Sequence, residues 1–181
     1  GKTSIQADQK KWILAVKARD VEVLSDLLEA GYLDVNVATA KGKTALMVAA
    51  QAADKSFCVD LVALGADVDA KNQNGGTPLM HASVGGSLDI VNLLLREGAD
   101  VNERASNGWS ALMLASAKGF SRIVKRLIQV NGEPNSRDVF GWTPLMHAVE
   151  QNRKDVIELL VSSSNGEIDN RNIDGVTALH R

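Results

Sequence analysis

One four-residue phrase returns along this chain at nearly constant spacing: Thr44-Ala45-Leu46-Met47, Thr77-Pro78-Leu79-Met80, Ser110-Ala111-Leu112-Met113, Thr143-Pro144-Leu145-Met146 and Thr177-Ala178-Leu179-His180. The first three steps are equal, and the fourth is longer by a single position. A period of about 33 residues requires a stack of near-identical units, each too small to bury its own apolar face, so that the core forms between neighbours.

The local chemistry repeats with the phrase. A glycine stands two residues before each copy (Gly42, Gly75, Gly108, Gly141, Gly175), and an apolar stripe at helical spacing follows. In the unit beginning at Asn72, Asn72-Gln73-Asn74-Gly75-Gly76 is turn chemistry, Thr77 offers a helix-capping hydroxyl, and Pro78 takes the first helical position. Gly85-Gly86 breaks that helix. Ser87 then opens a second helix carrying Leu88, Ile90, Val91, Leu94 and Leu95, and Gly98 ends it.

Together, Asn74-Gly75-Gly76-Thr77-Pro78-Leu79-Met80-His81-Ala82 and Leu88 to Asn102 closely resemble the ankyrin repeat, and the likeness extends from about Gln9 to Arg181. The resemblance implies an all-α repeat solenoid, a stack of helix-loop-helix units with β-hairpin fingers. Residues 1–8 are expected to form a flexible N-terminal segment. The array then occupies 9–181, in units of approximately 9–38, 39–71, 72–104, 105–137 and 138–171 and a partial unit 172–181. Because the last unit stops within its first helix, the chain is expected to be a piece of a longer polypeptide.

Departures from the family pattern mark expected irregularities. Arg19, Ala53 and Asn152 replace the glycine between helices, Gly31-Tyr32-Leu33-Asp34 carries an extra residue, and 162–166 replaces a Gly-Ala loop. Where the family usually has histidine, the phrase ends in Met47, Met80, Met113 and Met146, which reads as a soft packing stripe.

Composition narrows the function. The net charge is −2, from 20 Lys plus Arg against 22 Asp plus Glu, so no global field favours nucleic acid or membrane. Cys58 is the single cysteine; it excludes an intrachain disulfide, reads as buried packing, and fits a cytoplasmic or nuclear setting. Neither a leader segment nor an apolar run of membrane-spanning length is present in this sequence. His81, His147 and His180 fall in three different units with no Cys pair beside them, so no metal-binding spacing, cofactor site or catalytic constellation is expected.

In ankyrin repeats the fingers and first helices line a concave, partner-binding face, and two columns stand out there. Lys71, Arg104, Arg137 and Arg171 are uniformly basic. They read either as an anion-binding strip or as a solvated edge paired with Asp138, Asp169 and Asp174. The second column, just after the finger glycine, reads Lys43, Gly76, Trp109, Trp142 and Val176, with Phe140 on the finger of Trp142. Clustered aromatics beside arginines compose binding hot spots. The expected site therefore joins Trp109, Trp142 and Phe140 to Arg104 and Arg137, with His81 and His147 in the groove and Lys118, Glu150 and Gln151 at its rim.

The function implied is a non-enzymatic scaffold for a segment of a partner protein, acidic or phosphorylated. Stacking of a nucleotide or short oligonucleotide on the tryptophans is the alternative. A methyl-lysine cage from Trp142, Phe140 and Glu150 ranks below both, since Arg137 would repel the cation and His147 stands where such cages carry an aromatic.

Overall fold

A computed structural model describes residues 2–31 and 34–163. Ten helices run in order: α1 (Lys2–Ala18), α2 (Val21–Glu29), α3 (Ala45–Gln51), α4 (Lys55–Ala63), α5 (Pro78–Gly85), α6 (Leu88–Arg96), α7 (Ala111–Lys118), α8 (Ser121–Gln129), α9 (Pro144–Glu150) and α10 (Lys154–Ser163). The segment expected to be flexible is instead the start of α1, which already begins at Lys2. Neither glycine nor proline interrupts the sequence from Lys2 to Ala18, so nothing ends the helix there.

Each repeated Thr or Ser caps a first helix. The hydroxyls of Thr44, Thr77, Ser110 and Thr143 accept the backbone N–H of Met47, Met80, Met113 and Met146 at 3.2–3.4 Å, satisfying one otherwise orphaned donor per helix. The four methionine side chains are buried, as the packing-stripe reading requires. Consecutive first helices pack in a row, α3 on α5, α5 on α7 and α7 on α9; α4, α6, α8 and α10 form a second row. Leu24, Leu61, Leu94 and Leu127 are wholly enclosed in the second helices of their units, each contributing about 1.5–3 kcal/mol.

Between the helices of each unit the chain passes through a left-handed residue: Arg19, Ala53, Gly86, Gly119 and Asn152 have φ of 58°, 56°, 80°, 80° and 54°. The substitutions expected to cause irregularity therefore keep the regular backbone and carry its strain, about 1–2 kcal/mol for a residue such as Ala53. Arg19 offsets part of this through an ion pair from Nε to Asp54, the N-cap of α4. Tyr32, Leu33 and 164–166, the other expected irregularities, lie outside the described residues, as do the phrase at 177–180 and the partial unit 172–181.

The fingers are tight turns more than paired strands. In each, the first N–H donates to the carbonyl four residues on: Thr39 to Lys43, Asn72 to Gly76, Ala105 to Trp109 and Asp138 to Trp142, all at 2.9 Å. One antiparallel bridge, Ala38 with Thr44, is formed among the described residues. Neighbouring fingers are stitched by backbone bonds from Gln73 N to Lys41 O (3.1 Å), Ser106 N to Asn74 O (2.9 Å) and Val139 N to Asn107 O (3.1 Å). These bonds lock the fingers in register, and no helix among the described residues is long and apolar enough to cross a membrane.

Candidate protein-binding face

The finger register brings Trp109, Trp142 and His147 together. The His147 ring centroid lies 4.1 Å from that of Trp109 and 5.2 Å from that of Trp142, both pairs tilted. Edge-offset contacts of this kind contribute about 0.5–1.5 kcal/mol each beyond burial. Trp109 and Trp142 are half-buried, whereas Phe140, at the fingertip, is 58% exposed.

His147 sits at only 8% exposure because α9 carries it inward against Asp138, itself 7% exposed. Its Nε2 donates to Asp138 Oδ2 at 2.9 Å; a carboxylate has no hydrogen to give, so Nε2 carries it. The other carboxylate oxygen, Oδ1, accepts the backbone N–H of both Phe140 and Trp142 at 2.9 Å. Asp138 thus builds the finger and anchors the ring. This corrects its expected pairing with the basic column; its place nine positions before His147, within one unit, is the signal for the pairing observed.

Burial lowers the pKa of His147 against the opposing pull of Asp138, by hydrogen bond and charge, and of Glu150. His81 is lowered by burial and by Lys43, against the hydrogen bond to Thr77. Both folded-state values lie below the unfolded one, so the unfolded chain binds more protons as pH falls through the histidine range. The neutral rings' stabilisation is fully present above the unfolded pKa and is lost toward the folded values. Thermal unfolding should therefore show lower stability at pH 5 than at pH 7.5, and His147→Gln, His81→Gln protein should show a smaller drop.

Two members of the basic column are engaged within the fold. Lys71 Nζ pairs with Glu103 at 2.7 Å, not with the aspartates expected. Arg104 donates from Nε to the Gly108 carbonyl at 2.6 Å and from Nη2 to the Arg137 carbonyl, tying one finger to the next. Two of its donors are thereby committed within the fold, because its planar fork matches two carbonyls that the finger register places beside it. Arg137 is exposed, and Arg171, Asp169 and Asp174 lie outside the described residues. Lys118, Glu150 and Gln151 are exposed at the C-terminal ends of α7 and α9.

On its side toward the preceding unit, Trp109 walls a groove of about 430 Å³ between the fingers 72–76 and 105–109. Val84 of α5 and Leu114 of α7 contribute apolar surface, and Gln51, Asn72, Asn74, Ser106, Asn107 and His81 its polar groups. The amides carry no signal in the sequence, because Asn in a turn reads as turn chemistry alone and Gln51 as the end of a helix. The described residues contain no cluster of His, Cys, Asp and Glu able to hold a metal ion. Cys58 is buried, and its thiol is pushed up to about 12 by burial and the Asp54 charge, which makes it inert.

A stack of capped helix pairs with hydrogen-bonded fingers and an aromatic groove defines a repeat protein of the interaction-module class. The family model for ankyrin repeats (3 copies) matches residues 12–105, 50–138 and 112–181, and the chain belongs to the ankyrin-repeat family. Members of this family are generally protein–protein interaction modules and typically non-enzymatic. No curated protein matches the chain.

Proposed function

We propose that this chain is a non-enzymatic scaffold that captures a segment of a partner protein on the face made by its fingers and first helices. The observation that carries this reading is the contact of Trp109 and Trp142 with one histidine, His147, beside a groove of side-chain size. Half-buried indoles held at fixed angles lose little entropy on binding and offer large apolar area, which is how anchor residues work. Phe140 extends the apolar surface at the fingertip.

A phosphorylated segment is the less favoured partner, because Lys71 and Arg104 are engaged within the fold. Nucleotide stacking needs open indole faces beside available cations, and His147 lies against both indoles. A cytoplasmic or nuclear location fits the buried, unpaired Cys58.

Peptides selected from a displayed random library, binding in solution to the wild-type chain, test the reading. Trp109→Ala and Trp142→Ala should each weaken the selected peptide by about 2 kcal/mol or more, roughly 30-fold. Full affinity in both folded variants would remove the tryptophans as anchors.

A further inference from the structure

We propose that the groove between the fingers 72–76 and 105–109 recognises an acidic side chain next to an apolar one in an extended peptide segment of a partner protein. The carboxylate is held by the side-chain amides of Gln51, Asn72 and Asn107. This rests on the reading of the finger face as a protein-binding surface and assigns the chemistry it selects.

Hydrogen-bond accounting fixes the polarity of the groove. Asn72 Oδ1 accepts the backbone N–H of Asn74 at 3.0 Å and of Gly76 at 2.8 Å, so its oxygen is committed to the finger. Asn107 Oδ1 accepts the Trp109 N–H at 3.1 Å. Gln51 Oε1 accepts from Lys43 Nζ at 3.3 Å. In every case the neighbour is a donor, which sets the amide orientation, and the NH₂ end is left without a partner among the described residues. Three donor ends therefore serve one groove.

The acceptors that face them are neutral: the Ser106 hydroxyl, the Asn74 side-chain oxygen and one ring nitrogen. His81 Nδ1 donates to the Thr77 carbonyl at 2.8 Å, leaving Nε2 of the neutral ring as a lone-pair site. No carboxylate lines the groove, and the ammonium of Lys43 acts on His81 electrostatically, so the local field favours an anionic ligand. Carboxylate is favoured over phosphate because neither guanidinium nor ammonium lines the groove, and phosphate recognition relies on those groups. Trp109, Val84 and Leu114 supply the surface for the adjacent apolar side chain.

The chain contains its own control. Two units after Asn72, the same place of the finger is held by Asp138. There one carboxylate oxygen accepts two finger N–H groups as Asn72 Oδ1 does, while the other accepts from His147. A carboxylate therefore supports the turn at this place, and Asn72→Asp keeps the finger while reversing what it offers the groove.

The test uses synthetic peptides of about nine residues, the length that spans three or four fingers. A central Leu is flanked by Asp or Glu, by Asn or Gln, by Lys, or by phosphoserine. The wild-type chain should bind the Asp/Glu set about tenfold or more tighter than the other sets. Asn72→Asp, Asn107→Asp and Gln51→Glu together should weaken that set by about 10- to 100-fold and transfer preference to the Lys set. Gln51→Glu alone, at the exposed end of α3 and outside every finger, should move preference the same way without any change in unfolding temperature. A wild-type chain that binds peptides with no preference for Asp/Glu, that prefers phosphoserine, or whose preference survives the folded triple variant overturns the assignment while leaving the protein-binding reading standing. Binding of no peptide in any set overturns both.

Discussion

Replacing Gly108 with alanine is expected to destabilise the array by about 2–4 kcal/mol. The residue has φ of 79°, which an L side chain adopts at a cost of about 1–2 kcal/mol. Its special difficulty is the next finger: a Cβ there would stand 2.8 Å from both Asp138 Cα and Val139 N, and backbone cannot swing aside as a side chain can. Moving that finger would also disturb Asp138, and through it His147. Gly98 is the matched control, since its φ of 89° is as unfavourable but nothing lies within 4 Å of an added Cβ. Gly98→Ala should lose only the backbone part, about 1–2 kcal/mol. Denaturant unfolding of the two variants separates strain from the cost of parting two fingers; equal losses would mean the close approach is not felt.

The second large effect belongs to Asp138. Asp138→Ala removes the acceptor for two finger N–H groups and leaves the buried His147 Nε2–H without a partner. The one fully buried donor, His147 Nε2–H, costs about 1–3 kcal/mol when orphaned, and the two part-buried finger N–H groups add less because water reaches them, so a loss of about 2–4 kcal/mol is expected. Asp138→Asn should lose less. Its oxygen can keep the turn, as Asn72 does, and its NH₂ meets His147 only if the ring shifts its hydrogen to Nδ1. Calorimetric unfolding at neutral pH orders the three proteins; an Asn variant as damaged as the Ala variant would deny Asp138 its separate duties to finger and ring.

The fold is legible because each unit restates its own instructions. Threonine or serine at the cap, methionine three positions on and glycine at the finger recur from unit to unit, so one unit's reading is checked by the next. Where strain hides inside a regular backbone, at Arg19, Ala53 and Asn152, the sequence suggests a break that does not occur. Composition cannot show that the stack demands the left-handed turn whatever residue occupies it.

The candidate site is legible in its columns and not in its contacts. Trp109 and Trp142 share a column one period apart, which places them on one face. Their meeting with His147 depends on how α9 packs beneath the finger, and no periodicity encodes that. The contacts of the basic column are hidden for a similar reason. Arg104 reads as a cation, yet its hydrogen bonds go to carbonyls that converge on it only when two fingers are docked. Amides carry no such label in sequence, and the direction of Asn72 and Asn107 follows solely from which backbone N–H groups their oxygens receive.

Fingers held in register are proposed to form one continuous recognition surface. Hydrogen–deuterium exchange of the chain with and without a library-selected peptide tests it most directly. Bound peptide should slow exchange in and beside the fingers 72–76, 105–109 and 138–142 and along α5, α7 and α9, leaving α6 and α8 unchanged. Protection confined to α6, α8 and α10, with the fingers unaffected, would contradict it.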